Sequence, residues 1–82
     1  MSDINNYIII GGTSGIGLAT ADYLRDFGNN VIVGSRHDRK EIAHDFIPVD
    51  VTSIKSVNTF FYEIKSRVKS VEGLVYSVGK ST

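Results

Sequence analysis

A parallel α/β sheet with helices packed on its faces is the fold class that these 82 residues predict. Three observations lead there. Short continuous apolar runs rich in valine and isoleucine recur along the chain, as expected of strands buried on both faces. Two longer stretches carry apolar residues at spacings of three and four, the period of a helix. Strand-like and helix-like segments alternate, which makes neighbouring strands parallel and their crossovers right-handed.

The first strand is Tyr7–Ile10, an apolar run rich in β-branched isoleucine. A glycine-punctuated turn follows, with Gly11, Gly12, Gly15 and Gly17. From Ile16 to Phe27 the residues Ile16, Ala19, Tyr23 and Phe27 repeat at helical spacing with Leu24 alongside, and Gly28-Asn29 is a helix stop signal. Val31–Val33 is the second strand, ended by Gly34-Ser35-Arg36. The polar stretch from His37 to Asp45 holds one short helical segment around Arg39–Ala43. Phe46–Val51 is the third strand. Pro48 places it at an edge, because proline cannot donate to a central ladder. Ser53 or Thr52 caps the second long helix, whose stripe is Ile54, Val57, Phe61, Ile64 and Val68, widened by Phe60. Lys65, Arg67 and Lys69 fall in its last turns, where cations suit the helix dipole. Gly73 is placed near a turn, and Leu74–Val78 is the fourth strand.

The length allows one domain over residues 1–82, with no internal repeat or linker. A chain this short buries about 60–65% of its unfolded surface, so its stability is expected to be marginal. The hydrophobic fraction of 41% and charged fraction of 22% are those of a folded soluble domain. Nine basic residues balance nine acidic ones, which argues against a nucleic-acid arm or an anionic-membrane patch. Without cysteine there is no disulfide, thiolate nucleophile or cysteine metal site. Met1-Ser2-Asp3 lacks the basic start of a signal peptide, and no run reaches the ~18 apolar residues of a membrane span. A cytoplasmic location is the expectation.

The segment Gly11-Gly12-Thr13-Ser14-Gly15-Ile16-Gly17 sits between a strand and a helix, the context a pyrophosphate cradle requires. An anion must approach the backbone at a helix N-terminus, where free N–H groups and the dipole favour it. A side chain at Gly15 or Gly17 would block that approach or hold the helix off the strand. The same residues would also serve a tight turn with no ligand.

The spacing Gly-x-x-x-Gly-x-Gly, with isoleucine inside its last pair, resembles the cofactor loop of the short-chain dehydrogenase/reductase family. The resemblance runs over the whole chain, which matches the N-terminal third or so of a typical member. The family usually has threonine before the first glycine, where Ile10 stands here. The resemblance implies a doubly wound, Rossmann-like sheet in the order 3-2-1-4, truncated to one mononucleotide-binding half plus the first strand of the second. It also implies NAD or NADP as cofactor, and hydride transfer to or from a carbonyl or alcohol. Cofactor contacts then fall on Gly11, Thr13, Ser14, Gly15, Ile16 and Gly17. NAD-preferring sites put an acid at the end of strand two to bind the ribose 2′-OH. None is present in Val33-Gly34-Ser35-Arg36. Ser35 leaves room and Arg36 offers a planar fork suited to a 2′-phosphate, so NADP is expected over NAD. Ser14 stands where many NADP-dependent members carry a basic residue. By resemblance, Asp50 hydrogen-bonds the adenine amino group and the Val51 backbone supports it; without a ligand, Asp50 is an acid near a helix N-terminus. The family's fourth strand ends in Asn-Asn-Ala-Gly. Here Gly79 fits that pattern and Tyr76, Ser77 and Val78 do not.

Two C-terminal matches are coincidental. Tyr76 and Lys80 have the Tyr-x-x-x-Lys spacing of the family's catalytic pair, which belongs on a later helix. On an extended strand the two Cα atoms stand about 13 Å apart. Gly79-Lys80-Ser81 lacks the earlier glycine and following helix of a P-loop. His37 and His44 lack metal-ligand spacing, and Lys65–Lys69 reads as a solvated helix end. Three functions remain open: the cofactor portion of an NADP-dependent oxidoreductase, inactive alone; a nucleotide-binding regulatory module; and a non-binding remnant. Strand four would be an open edge, so homo-oligomers through it are expected.

Overall fold

The computed structural model describes residues 4–11, 15–36 and 45–77. Six elements follow one another: β1 (Asn6–Ile10), α1 (Gly15–Asp26), β2 (Asn30–Ser35), β3 (Asp45–Pro48), α2 (Ile54–Arg67) and β4 (Gly73–Tyr76). The four strands form one parallel sheet in the order β3-β2-β1-β4, the order expected from the sequence. The short helix expected around Arg39–Ala43 lies outside the described residues. Pro48 ends β3, which pairs with β2 alone among the described strands, so its missing donor costs no ladder bond.

Side chains alternate across the sheet and divide its core into two layers. Ile8, Ile10, Ile32, Ile47 and Val49 meet Phe60 and Ile64 of α2 on one face. Ile9, Val31 and Val33 meet Ala21 of α1 on the other. Helices thus cover both faces, which explains why β1 and β2 read as unbroken apolar runs.

The two helices differ in how they meet their expected stripes: α1 packs on another face, whereas α2 packs on Val57, Phe60, Phe61, Ile64 and Val68 as expected. On α1, Ile16, Ala19, Tyr23 and Phe27 point to solvent, with Ile16 80% exposed. Gly17 and Ala21 are buried instead, with Leu24 packed beside them. The reason is close approach: a methyl group on Gly17 would lie under 3.0 Å from the Gly11 carbonyl oxygen. Only a face of small residues fits that near the sheet. Tyr23 and Phe27 stack edge-to-face on the outside, centroids 4.8 Å apart. On α2, Ile54 is 81% exposed, and the fully buried Phe60 is the centre of the packed face rather than its margin.

Strand bounds shift for similar reasons. Gly34 belongs inside β2, where its bare Cα makes room for the Phe60 ring; a Cβ there would fall 2.6 Å from the ring edge. The third strand stops at Pro48, and Val51 lies in the turn that follows. The fourth strand runs Gly73–Tyr76 and not from Leu74 on to Val78: Gly73 opens it and Ser77 lies past its end.

Local chemistry fixes the helix ends. Ser53 is the N-cap of α2, accepting from the Ser56 N–H at 3.2 Å. Thr52 serves Asp50 instead. At the end of α1, Gly28 at φ +89° lets its N–H reach the Arg25 carbonyl while the Asn29 N–H reaches that of Leu24, a Schellman closure. Lys65 and Arg67 occupy the last turn of α2, and Lys69 lies beyond it.

At the amino ends of the strands a polar clamp ties β4 to β1 and β2. Glu72 accepts from the Asn6 N–H at 2.6 Å and the Ser70 hydroxyl at 2.8 Å. The Asn6 side chain donates to the Ser70 carbonyl and accepts from Asn30. These bonds hold the Glu72 carboxyl below the usual glutamate range.

Candidate nucleotide site

The carboxyl ends of β1, β2 and β4 converge on Gly11. Its N–H donates to the Gly34 carbonyl at 2.6 Å, and the Ser77 N–H donates to the Ile10 carbonyl at 2.9 Å. The Ser77 hydroxyl donates to the Gly11 carbonyl at 3.3 Å. Gly11 adopts φ 90° and Gly15 φ 60°, conformations that side chains rarely tolerate. The two loop glycines therefore act differently. Around Gly15 nothing among the described residues lies within 4 Å of a Cβ position, so the surface there is open to a ligand and the backbone conformation is the constraint. Gly17 is required by packing, with α1 pressed against Gly11 and Ser77. Open space over Gly15 beside a helix start fits an anion that must reach backbone N–H groups. Ile16 projects away from the sheet. Thr13, Ser14 and Gly79 lie outside the described residues.

A second cluster forms where β2 and β3 end. Arg36 follows β2 directly, and Ser35 accepts the Val49 N–H on its carbonyl at 2.9 Å. Arg36 and Asp50 line one cleft of about 480 Å³. Asp50 is half-buried, and its Oδ1 accepts from the Thr52 hydroxyl at 2.7 Å and the Thr52 N–H at 3.0 Å. These bonds, aided by the Arg36 charge, hold its carboxyl below the ordinary aspartate range. The Asp50 N–H donates to Ser56 Oγ at 2.8 Å, pinning the turn to α2. Val51 packs against the α2-side core from this turn.

The chain as a whole matches a known pattern. The model of the short chain dehydrogenase family aligns with residues 5–82. The chain belongs to the short-chain dehydrogenase family. It is 34% identical over 83 residues to a Drosophila melanogaster 3-hydroxyacyl-CoA dehydrogenase type-2, covering 92% of this chain and 32% of that protein. It is 41% identical over 69 residues to the chloroplastic short-chain dehydrogenase TIC 32 A of Brassica napus, covering 68% of this chain and 22% of that protein. Among solved structures it resembles ligand-free Thermoplasma acidophilum aldohexose dehydrogenase, with a TM-score of 0.89 and 33% identity over 96% of this chain and 31% of that one. The chain thus spans at most about a third of the length of these relatives. Members of this oxidoreductase family take NAD or NADP; in this chain Gly11 lies just past β1, and Arg36 and Asp50 lie past the ends of β2 and β3.

Tyr76 lies in β4, paired with Ile10, so it stands on a strand and not on a helix face. Lys80 lies outside the described residues. Among the described residues, no group of three or more His, Cys, Asp or Glu could hold a metal ion, and no helix is long and apolar enough to cross a membrane. The sequence reading missed the contact of Ser77 with Gly11 and the presence of Lys55 and Ser56 in the cleft. Ser77 was detectable as a departure from the family's asparagine. Lys55 had no signal beyond being polar in the first turn of α2.

Proposed function

We propose that this chain is the dinucleotide-binding portion of an NADP-preferring short-chain oxidoreductase and does not reduce carbonyls by itself. The observation that supports it most is the pair of glycines at the start of α1, Gly15 open among the described residues and Gly17 tightly packed, with Arg36 rather than an acid at the end of β2. In this reading Gly11, Thr13, Ser14, Gly15, Ile16 and Gly17 receive the pyrophosphate side. Ser35 and Arg36 receive the adenosine ribose and its 2′-phosphate, Asp50 and Val51 the adenine, and Gly79 the far ribose. The bound nicotinamide supplies or accepts hydride. Tyr76 on its strand is not the proton donor. A cytoplasmic location is part of the same proposal. Calorimetric titration tests it: NADPH binds more tightly than NADH, and Gly15→Arg removes both. Unchanged binding in Gly15→Arg places the ligand elsewhere, and carbonyl reduction by the 82-residue chain refutes the non-catalytic part.

A second proposal concerns self-association. Among the described strands β4 pairs only with β1, and Leu74 and Tyr76 beside Ile8 and Ile10 are 53% and 61% exposed. α2 covers the β1–β3 part of that face and leaves these two side chains bare. An open edge with exposed apolar neighbours supports pairing between copies of this chain.

A further inference from the structure

The cleft at the ends of β2 and β3 carries more than Arg36 and Asp50. Lys55, from the first turn of α2, lines it too, together with Pro48, Ser53 and Ser56. Among the described residues, two cations from separate elements therefore border one cleft with a single carboxylate. That carboxylate is already engaged: Oδ1 of Asp50 takes both the Thr52 hydroxyl and the Thr52 N–H. Among the described residues the two serine hydroxyls are engaged in one sense only. Ser53 Oγ accepts from the Ser56 N–H, and Ser56 Oγ accepts from the Asp50 N–H. Each oxygen acts there as an acceptor, so each hydroxyl proton is left to be donated. The cleft thus sets two positive charges and two O–H donors against one carboxylate that is held by Thr52. Its complement is a compact, multiply charged group with acceptor oxygens only, which describes a phosphate monoester.

We propose that Lys55 is a second cation for the adenosine 2′-phosphate, acting with Arg36 across this cleft and setting the preference for the phosphorylated dinucleotide. The inference rests on the dinucleotide reading above and adds a residue from α2, an element which that reading did not use. A lysine is suited to the part. Its ammonium is a point charge on a flexible stem, able to follow a phosphate whose orientation the planar Arg36 fork fixes. It also accounts for how the site can discriminate although the glycine turn has Ser14 where many NADP-dependent members have a base.

The test titrates NADPH, NADH, adenosine 2′,5′-bisphosphate and 5′-AMP into the wild-type chain, Lys55→Gln and Lys55→Arg. Lys55 is exposed at the second position of α2, so circular dichroism is expected to report the same fold for all three. Loss of one exposed charge pair is expected to weaken NADPH and the bisphosphate about fivefold at low salt. NADH and 5′-AMP stay within about twofold, and Lys55→Arg restores most of the loss. The fivefold effect shrinks as salt rises. Equal weakening of NADPH and NADH, or no weakening of either, overturns the role of Lys55 and leaves the dinucleotide reading standing. A wild-type chain that binds neither dinucleotide overturns that reading and this inference with it.

Discussion

Replacing Gly17 by alanine tests the link between packing and site most directly. The new methyl would lie under 3.0 Å from both the Gly11 carbonyl oxygen and Ser77 Oγ. Ser77 can rotate away at the cost of its bond to the Gly11 carbonyl, about 1 kcal/mol. The carbonyl cannot move as easily, since the Gly11 N–H is tied to Gly34 at 2.6 Å. Helix α1 must instead retreat by on the order of 1 Å to restore a normal contact near 3.5 Å. Overpacking of this kind costs about 1–3 kcal/mol. Alanine returns about 0.5–1 kcal/mol through its better helix propensity. A net loss of about 2 kcal/mol is large beside the total of about 4–12 kcal/mol for a chain this size. It corresponds to a melting point lower by about 8–16 °C. Thermal circular dichroism reads this, and an NADPH titration below the new melting point reads the displaced helix start as weaker binding. Gly15→Ala is the comparison. It meets no atom of the described residues but must hold φ near 60°, costing about 1–2 kcal/mol without moving the helix. A Gly17→Ala protein that melts within about 2 °C of the wild type refutes the close-approach account.

Other perturbations follow from the same structure. Phe60→Ala empties the fully buried centre of the α2-side core and is expected to cost about 3–5 kcal/mol, read as a lost or non-cooperative urea transition. Ser53→Ala removes the α2 cap and lowers stability by about 1 kcal/mol, visible as a lower urea midpoint with an unchanged slope. The Glu72 carboxyl titrates lower in the folded chain than unfolded, because Asn6 and Ser70 donate to it. Its contribution is therefore complete above the unfolded value of about 4.3 and lost as pH falls through the folded one. Asp50 acts in the same direction. Glu72→Gln should show a flatter fall in melting temperature between about pH 5 and 3 than the wild type, and an equally steep fall counts against the clamp. Leu74→Lys on β4 should shift the chain toward monomer in sedimentation velocity; unchanged self-association moves the interface elsewhere.

The parallel sheet was legible because apolar runs such as Tyr7–Ile10 and Val31–Val33 need cover on both faces, and only α/β layering gives it. The packed face of α1 was not legible from apolar size alone. Ile16, Tyr23 and Phe27 outscore Gly17 and Ala21 in any hydrophobic stripe, yet they lie outside. The decisive term is distance. Gly17 is the third residue of a helix entered straight from the turn after β1, so its Cα must touch the carbonyl that ends the strand. The glycine that shapes the turn thus also dictates which face of the helix is buried. A periodicity argument that treats glycine as neutral has the wrong phase from the start.

The site divides along the same line. Residues of the turn and of the strand ends are local in sequence, so Gly11, Gly15, Gly17, Arg36 and Asp50 could be named before any fold was known. Ser77 reaches the site only through the crossover that brings β4 back beside β1, whereas Lys55 enters the cleft because α2 begins just past Asp50. Ser77 has a further consequence. Where the family carries an asparagine, this chain has a shorter side chain that reaches the Gly11 carbonyl and abuts the space Gly17 keeps clear. The substitution first noted as a departure from the pattern therefore contacts the turn itself. A Ser77→Asn change places a larger side chain against a helix already at contact distance. It is expected to lower the melting temperature in the same direction as Gly17→Ala, and the double variant to lose less than the sum, since both relieve their strain by the same retreat of α1. Strict additivity of the two would separate Ser77 from the helix contact and leave its role to the strand alone.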